Sequence, residues 1–254
     1  KNIGWVSNES PTTEGSTVFV PTLVDRYGTK EENYAWFKVV STHQVAHLEF
    51  GSFIFEFERQ SGLFENLRLD LETRRIETLT EKHNNEPAVA DDVADPDFSS
   101  DELSDAHTGL ERAWLTDMQR FFDLFEDRQL SLDIFTVVED GRLDARVKNE
   151  YPGIKSSYTQ VQSDSHENRP DIKELPAREA MVEFMVRLSL QQYEGVVAPS
   201  KYNKEASQIA QIARRVLVPE ATVEDTAEAT LRIYAIISAI PNEEIPPDDW
   251  NDMD

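Results

Sequence analysis

Thr42-His43-Gln44-Val45-Ala46-His47-Leu48-Glu49-Phe50-Gly51 is the stretch on which the reading of this chain turns. Around it, Tyr34, Phe37, Val40, His43/Gln44, His47 and Phe50 recur at three- and four-residue spacing, the period of a helix with one apolar face, and Gly51 is a stop. The helix is therefore expected to start near Glu31. Its two histidines, four residues apart, lie one turn apart on a single face, so both imidazoles can reach one metal ion. In a hydrolytic His-Glu-x-x-His site, the residue after the first His is a Glu that takes a proton from the metal-bound water. Here that residue is Gln44, a neutral amide with no basic function. Glu49 is no substitute: five residues on, it is rotated by about 500° along the helix and faces elsewhere. The pattern is that of a metal-binding helix pair without its proton acceptor.

Two imidazoles need a third ligand. Glu139-Asp140-Gly141-Arg142-Leu143-Asp144 places charges inside an otherwise apolar helical pattern of Phe135, Val138, Leu143 and Val147. Charges there are costly unless paired or liganded. Glu139 is the expected third ligand, as in a gluzincin, where a Glu from a separate downstream helix completes the site. Asp140 or Asp144 is expected to orient a histidine from behind. The competing reading pairs Glu139 with Arg142, three residues on, and uses the histidines only as buried hydrogen-bonding groups. The cofactor implied by His43, His47 and Glu139 is a divalent, zinc-like ion.

The remaining sequence reads as mainly α, a multi-helix domain. Residues 1–30 are irregular, rich in Ser, Thr, Pro and Gly. Residues 31–240 form the helical domain. Helices are expected at 64–82, Leu110–Phe125, Leu130–Glu150 (stopped by Tyr151-Pro152-Gly153), Leu175–Tyr193, Ala206–Val218 and Val223–Ile240. An acidic stretch at about 83–108, poor in large apolar residues, reads as an insertion. Its Asp pairs lack the spacing and glycine of a calcium loop. Residues 241–254, Pro-rich and acidic, read as the start of a linker.

Composition narrows the function classes. The chain has 254 residues and a formal charge of −24, so it is expected to repel nucleic acid and anionic membranes, and either to meet a basic protein surface or to have no charge-directed partner. It has no cysteine, which removes disulfides and thiolate metal sites and fits a cytoplasmic location. No apolar run is long enough to span a membrane, and no basic segment leads into an apolar one as in a signal peptide. Lacking an initiator Met, the chain reads as an internal or processed piece. No phosphate-cradling glycine loop and no nucleophile elbow is present, so neither nucleotide binding nor serine chemistry is expected.

Several segments together resemble the N-terminal region of the NorD/CbbO family: residues 42–53; Phe121-Phe122-Asp123-Leu124-Phe125; residues 133–148; Glu150-Tyr151-Pro152-Gly153-Ile154; and Leu175-Pro176-Ala177-Arg178-Glu179-Ala180. The resemblance covers roughly residues 30–240 and implies a non-catalytic adaptor. Such proteins carry a C-terminal von Willebrand factor A domain and serve hexameric MoxR-class AAA+ ATPases. One branch works with the CbbQ ATPase to remodel inhibited Rubisco; the other is tied to maturation of nitric oxide reductase. The resemblance favours the Rubisco branch. This chain contains no Asp-x-Ser-x-Ser run, so the A domain's metal site is not in it. A metal-dependent hydrolase using His43, His47 and Glu139 is the competing expectation.

Overall fold

The computed structural model describes residues 12–14, 16–85, 116–191, 195–246 and 250–252. Most of the acidic insertion, the first part of the helix expected from Leu110, and the ends of the chain lie outside these residues. The protein is mainly helical, as expected. Eight helices stand among the described residues: α1 (Lys30–Glu49), α2 (Arg68–Asn85), α3 (Asp117–Phe122), α4 (Arg128–Glu150), α5 (Lys155–Glu167), α6 (Ala177–Leu190), α7 (Asn203–Arg215) and α8 (Val223–Ser238). Two short antiparallel strand pairs accompany them: β1 (Thr12–Glu14) with β2 (Thr17–Phe19), and β3 (Val197–Pro199) with β4 (Trp250–Asp252).

Helix α1 begins where its sequence makes a cap. The Thr29 hydroxyl accepts from the Glu32 N–H, and the Glu32 carboxylate accepts from the Thr29 N–H, so two amides that the helix leaves unpaired are satisfied. It ends at Gly51, whose φ of +78° turns the chain. A Cβ at Gly51 would meet the Ile54 side chain at 2.9 Å, so the turn needs glycine on two counts.

Helix α4 is the axis of the molecule. It packs most extensively on α8, and also on α1 and α6. Its faces feed three apolar clusters. Ile134 and Val138 join Met181, Phe184, Ile209, Ile233 and Ile237 in the largest. Phe135 joins Phe55, Phe57, Phe121, Phe122 and Phe125, where Phe121 meets Phe122 and Phe125 edge-on with centroids 5.2 Å apart. Leu143 and Val147 join Trp36, Val39, Ala46 and Tyr158 in the seam under α1. This third seam holds α1 against α4 and α5.

The loop from α1 to α2 is lashed to the buried acids of α8. Asp225 Oδ1 accepts from Leu63 N at 2.8 Å and Ser61 Oγ at 2.5 Å. Glu228 accepts from Leu67 N and from the buried Arg68 guanidinium, whose Nε donates to Phe57 O at 2.6 Å. These acids stand in the first turns of α8, where the helix dipole favours negative charge.

Two features differ from the sequence reading. Helix α5 was not anticipated: Lys-Ser-Ser-Tyr-Thr-Gln-Val-Gln-Ser-Asp-Ser-His-Glu buries only Tyr158, Val161 and Gln162, too few for an apolar period to show. The stretch 241–254, read as the start of a linker, is anchored where it is described. Glu243 O accepts from Ala177 N at 2.9 Å, Ile245 and Trp250 are buried, and Trp250 pairs with Pro199.

A candidate metal centre between α1 and α4

Two helices supply the site. Helix α1 presents His43 and His47 with their rings edge-to-face, centroids 5.1 Å apart. Helix α4 presents Asp140 between them. Asp140 Oδ1 lies 3.5 Å from His43 Nε2 and 3.7 Å from His47 Nε2. These separations exceed a good hydrogen bond and are slightly longer than the roughly 3.3–3.4 Å between ligand atoms of a tetrahedral ion bound at about 2.0–2.1 Å, so a small approach of the side chains would close the site. Among the described residues, His43, His47 and Asp140 form the group able to hold a metal ion.

The opposite edge of each ring fixes how it is protonated. His43 Nδ1 lies 2.8 Å from Asp144 Oδ1 and 3.0 Å from the Tyr158 hydroxyl, which itself donates to Asp144 Oδ1 at 2.6 Å. Tyr158 has spent its proton on Asp144, so His43 Nδ1 must carry a hydrogen. His47 Nδ1 lies 3.1 Å from Ser52 Oγ, and Ser52 donates to Glu139 Oε1 at 2.5 Å. The Ser52 proton is therefore committed too, and His47 Nδ1 must also be the donor. Both rings turn Nε2, the atom left for a metal, toward Asp140. A carboxylate behind one imidazole and a serine–carboxylate relay behind the other are the supports that orient metal-binding histidines.

Electrostatics set the two rings apart. Burial lowers the His43 pKa, yet the Asp144 carboxylate, with help from Asp140, outweighs it and holds His43 well above the ordinary histidine value. Burial and then the charge on His43 pull His47 below it, so His47 is neutral with a free Nε2 lone pair. Burial raises the Tyr158 pKa well above its usual value, and Asp144 raises it further, which keeps the phenol a donor. Without an ion, His43 is an imidazolium clasped by Asp144; an ion arriving at Nε2 displaces one proton.

The expected third ligand is replaced. Glu139 does not face the imidazoles. It is fully buried and accepts from Arg142 Nη2 at 2.6 Å, Arg142 Nε at 2.8 Å, Ser52 and Thr226 Oγ1 (2.7 Å). Burial raises its pKa, but the Arg142 guanidinium more than reverses this and keeps it ionised. Every lone-pair direction is taken, so Glu139 acts behind His47 through Ser52, and its neighbour Asp140 is the acid that faces the imidazoles. The alternative pairing of Glu139 with Arg142 is the one observed. Arg142 completes its contacts with Ala221 O and Phe50 O, both at 3.1 Å, tying α4 to the end of α1 and the start of α8.

Sequence reading placed the histidine pair and offered Asp140 or Asp144 as the orienting group; Asp144 stands behind His43, while Asp140 faces the Nε2 atoms. That reading missed Ser52, Tyr158 and Gln162. Gln162 donates to Asp144 Oδ2 at 2.7 Å, so both oxygens of this carboxylate are engaged. None of the three carries a spacing signal: Ser52 lies in the loop that ends the 42–53 segment, and Tyr158 and Gln162 stand on a helix with no apolar period. The chain matches no protein-family model, no curated protein and no solved structure.

Proposed function

We propose that this chain is a non-catalytic adaptor domain in which a divalent, zinc-like ion held by His43, His47 and Asp140 staples α1 to α4. One observation carries the reading. The Nε2 atoms of both imidazoles converge on Asp140, while the position that would supply the hydrolytic base is Gln44. A site with ligands and oriented imidazoles but no base serves structure, not turnover. The segments that resemble the NorD/CbbO family at 42–53 and 133–148 are the two that meet at this site. Their meeting supports reading the domain as one that docks on a hexameric MoxR-class AAA+ ATPase, CbbQ-like, and couples it to a client. The favoured client is inhibited Rubisco, and the net charge of −24 suits docking on a basic face.

Size-exclusion co-migration with a MoxR-class ATPase tests the docking. Association in ATP that weakens from low to high salt is expected. Absence of association with every nucleotide at every salt concentration defeats it. Pull-down of inhibited Rubisco against nitric oxide reductase separates the two client branches. The competing reading, a metal-dependent hydrolase, would show as turnover of a peptide library by the zinc-loaded chain that disappears in His47→Ala.

A further inference from the structure

A second feature stands apart from the imidazoles. A cavity of about 330 Å³ lies between α4, the start of α5, the end of α6 and the turn before α8. Lys148 and Asn149 from α4, Lys155 from α5 and Ser189 from α6 line it, with Leu217 and Pro219 as an apolar side. This size lies at the small end of ligand pockets, and its lining of a few polar groups over an apolar wall is of the same kind.

The charge in this cavity runs against the rest of the molecule. The chain has 49 acidic against 25 basic residues, and its described arginines are largely taken up in ion pairs. Among the described residues, Lys148 and Lys155 nevertheless form no ion pair. The Lys148 ammonium donates to a neutral acceptor, Gln162 Oε1, at 2.5 Å. The one carboxylate in the wall, Asp144, has both oxygens engaged by His43, Tyr158 and Gln162. Burial lowers the Lys148 pKa by more than Asp144 restores, and the charge of Lys155 adds to the fall, so the two ammonium groups repel one another. Two ammonium groups set against a single carboxylate that already holds His43, with an amide and a hydroxyl beside them, suit a small oxyanion.

We infer that this cavity binds the phosphate group of a small phosphorylated ligand, with Lys148 and Lys155 neutralising the phosphate and Asn149 and Ser189 donating to it. A phosphate monoester carries a charge of about −1.5 to −2 at pH 7, which two lysines balance. The cavity exceeds what a bare phosphate fills, leaving Leu217 and Pro219 to meet an organic body.

Titration of the full chain with glycerol 3-phosphate and, separately, with inorganic phosphate tests this, using calorimetry and backbone amide shifts, with sodium chloride at matched ionic strength as control. Expected are saturable binding, shifts at Asn149, Lys155 and Ser189, and at least tenfold weaker binding in Lys155→Met, an exposed position whose replacement leaves the circular dichroism spectrum unchanged. Tighter binding of the ester than of phosphate would assign the ligand as an organic phosphate; equal binding would assign free phosphate as the source. Lack of saturation with either probe, shifts reproduced by chloride, or binding unaltered in both Lys155→Met and Lys148→Met would overturn the inference.

Discussion

Ser52 donates its one proton to Glu139, and that bond alone fixes which nitrogen of His47 carries hydrogen. The residue expected to bind a metal thus shapes the site from one layer back, through a serine on the loop after α1. The same logic runs behind His43, where Tyr158 commits its proton to Asp144. Two independent relays leave two Nε2 atoms aimed at one carboxylate, and several consequences can be measured.

The ligand set separates neighbouring acids. Asp140→Asn and His47→Ala should each weaken zinc binding at least tenfold, a loss of about 1.4 kcal/mol or more, measured by competition with a chromophoric chelator. Ser52→Ala, which removes only the orienting relay, should cost about 10-fold to 100-fold in metal affinity. Equal zinc affinity in Asp140→Asn and the parent chain would refute the ligand assignment.

Glu139 and Arg142 should behave as a structural pair. Both are buried, so Arg142→Met strands a carboxylate and should destabilise the fold by about 3–5 kcal/mol in urea denaturation. The double variant Glu139→Gln/Arg142→Met should lose less than the sum of the two single changes, because no uncompensated charge remains.

In the metal-free chain, the His43–Asp144 contact should make stability depend on pH from both sides. The folded pKa of His43 is raised, so its contribution is complete below the unfolded value of 6.5 and is lost as pH climbs through the folded value. The folded pKa of Asp144 is lowered, since His43 outweighs the effect of burial, so its contribution is complete above the unfolded value of 3.8 and is lost as pH falls through the folded value. The contact is at full strength between these two values. In His43→Gln, the decline of stability above pH 6.5 should flatten, as read from thermal melts with a chelator across the range.

The aromatic cluster should be as demanding as any core. Phe121 is fully buried and stacks edge-on against Phe55, Phe122 and Phe125. Phe121→Ala should cost about 3–5 kcal/mol in chemical denaturation, by lost burial plus the cavity left behind.

The sequence by itself determined that the protein is helical, where α1, α4, α6, α7 and α8 run, and that His43 and His47 share a face, because a 3.6-residue period fixes which side chains lie together on one helix. It also fixed Gln44 in place of a base. Only the tertiary structure decided which acid meets the imidazoles. Glu139 and Asp140 are adjacent, so their side chains leave α4 about 100° apart. The rotation of α4 relative to α1 is set by Leu143 and Val147 packing under Trp36, Val39 and Ala46, a contact between segments about a hundred residues apart in sequence. That rotation turned Asp140 to the ring nitrogens and Glu139 inward to Arg142. The same packing brought in Ser52, Tyr158 and a polar α5, because hydrogen bonds across the fold depend on where helices meet and leave no period in the chain.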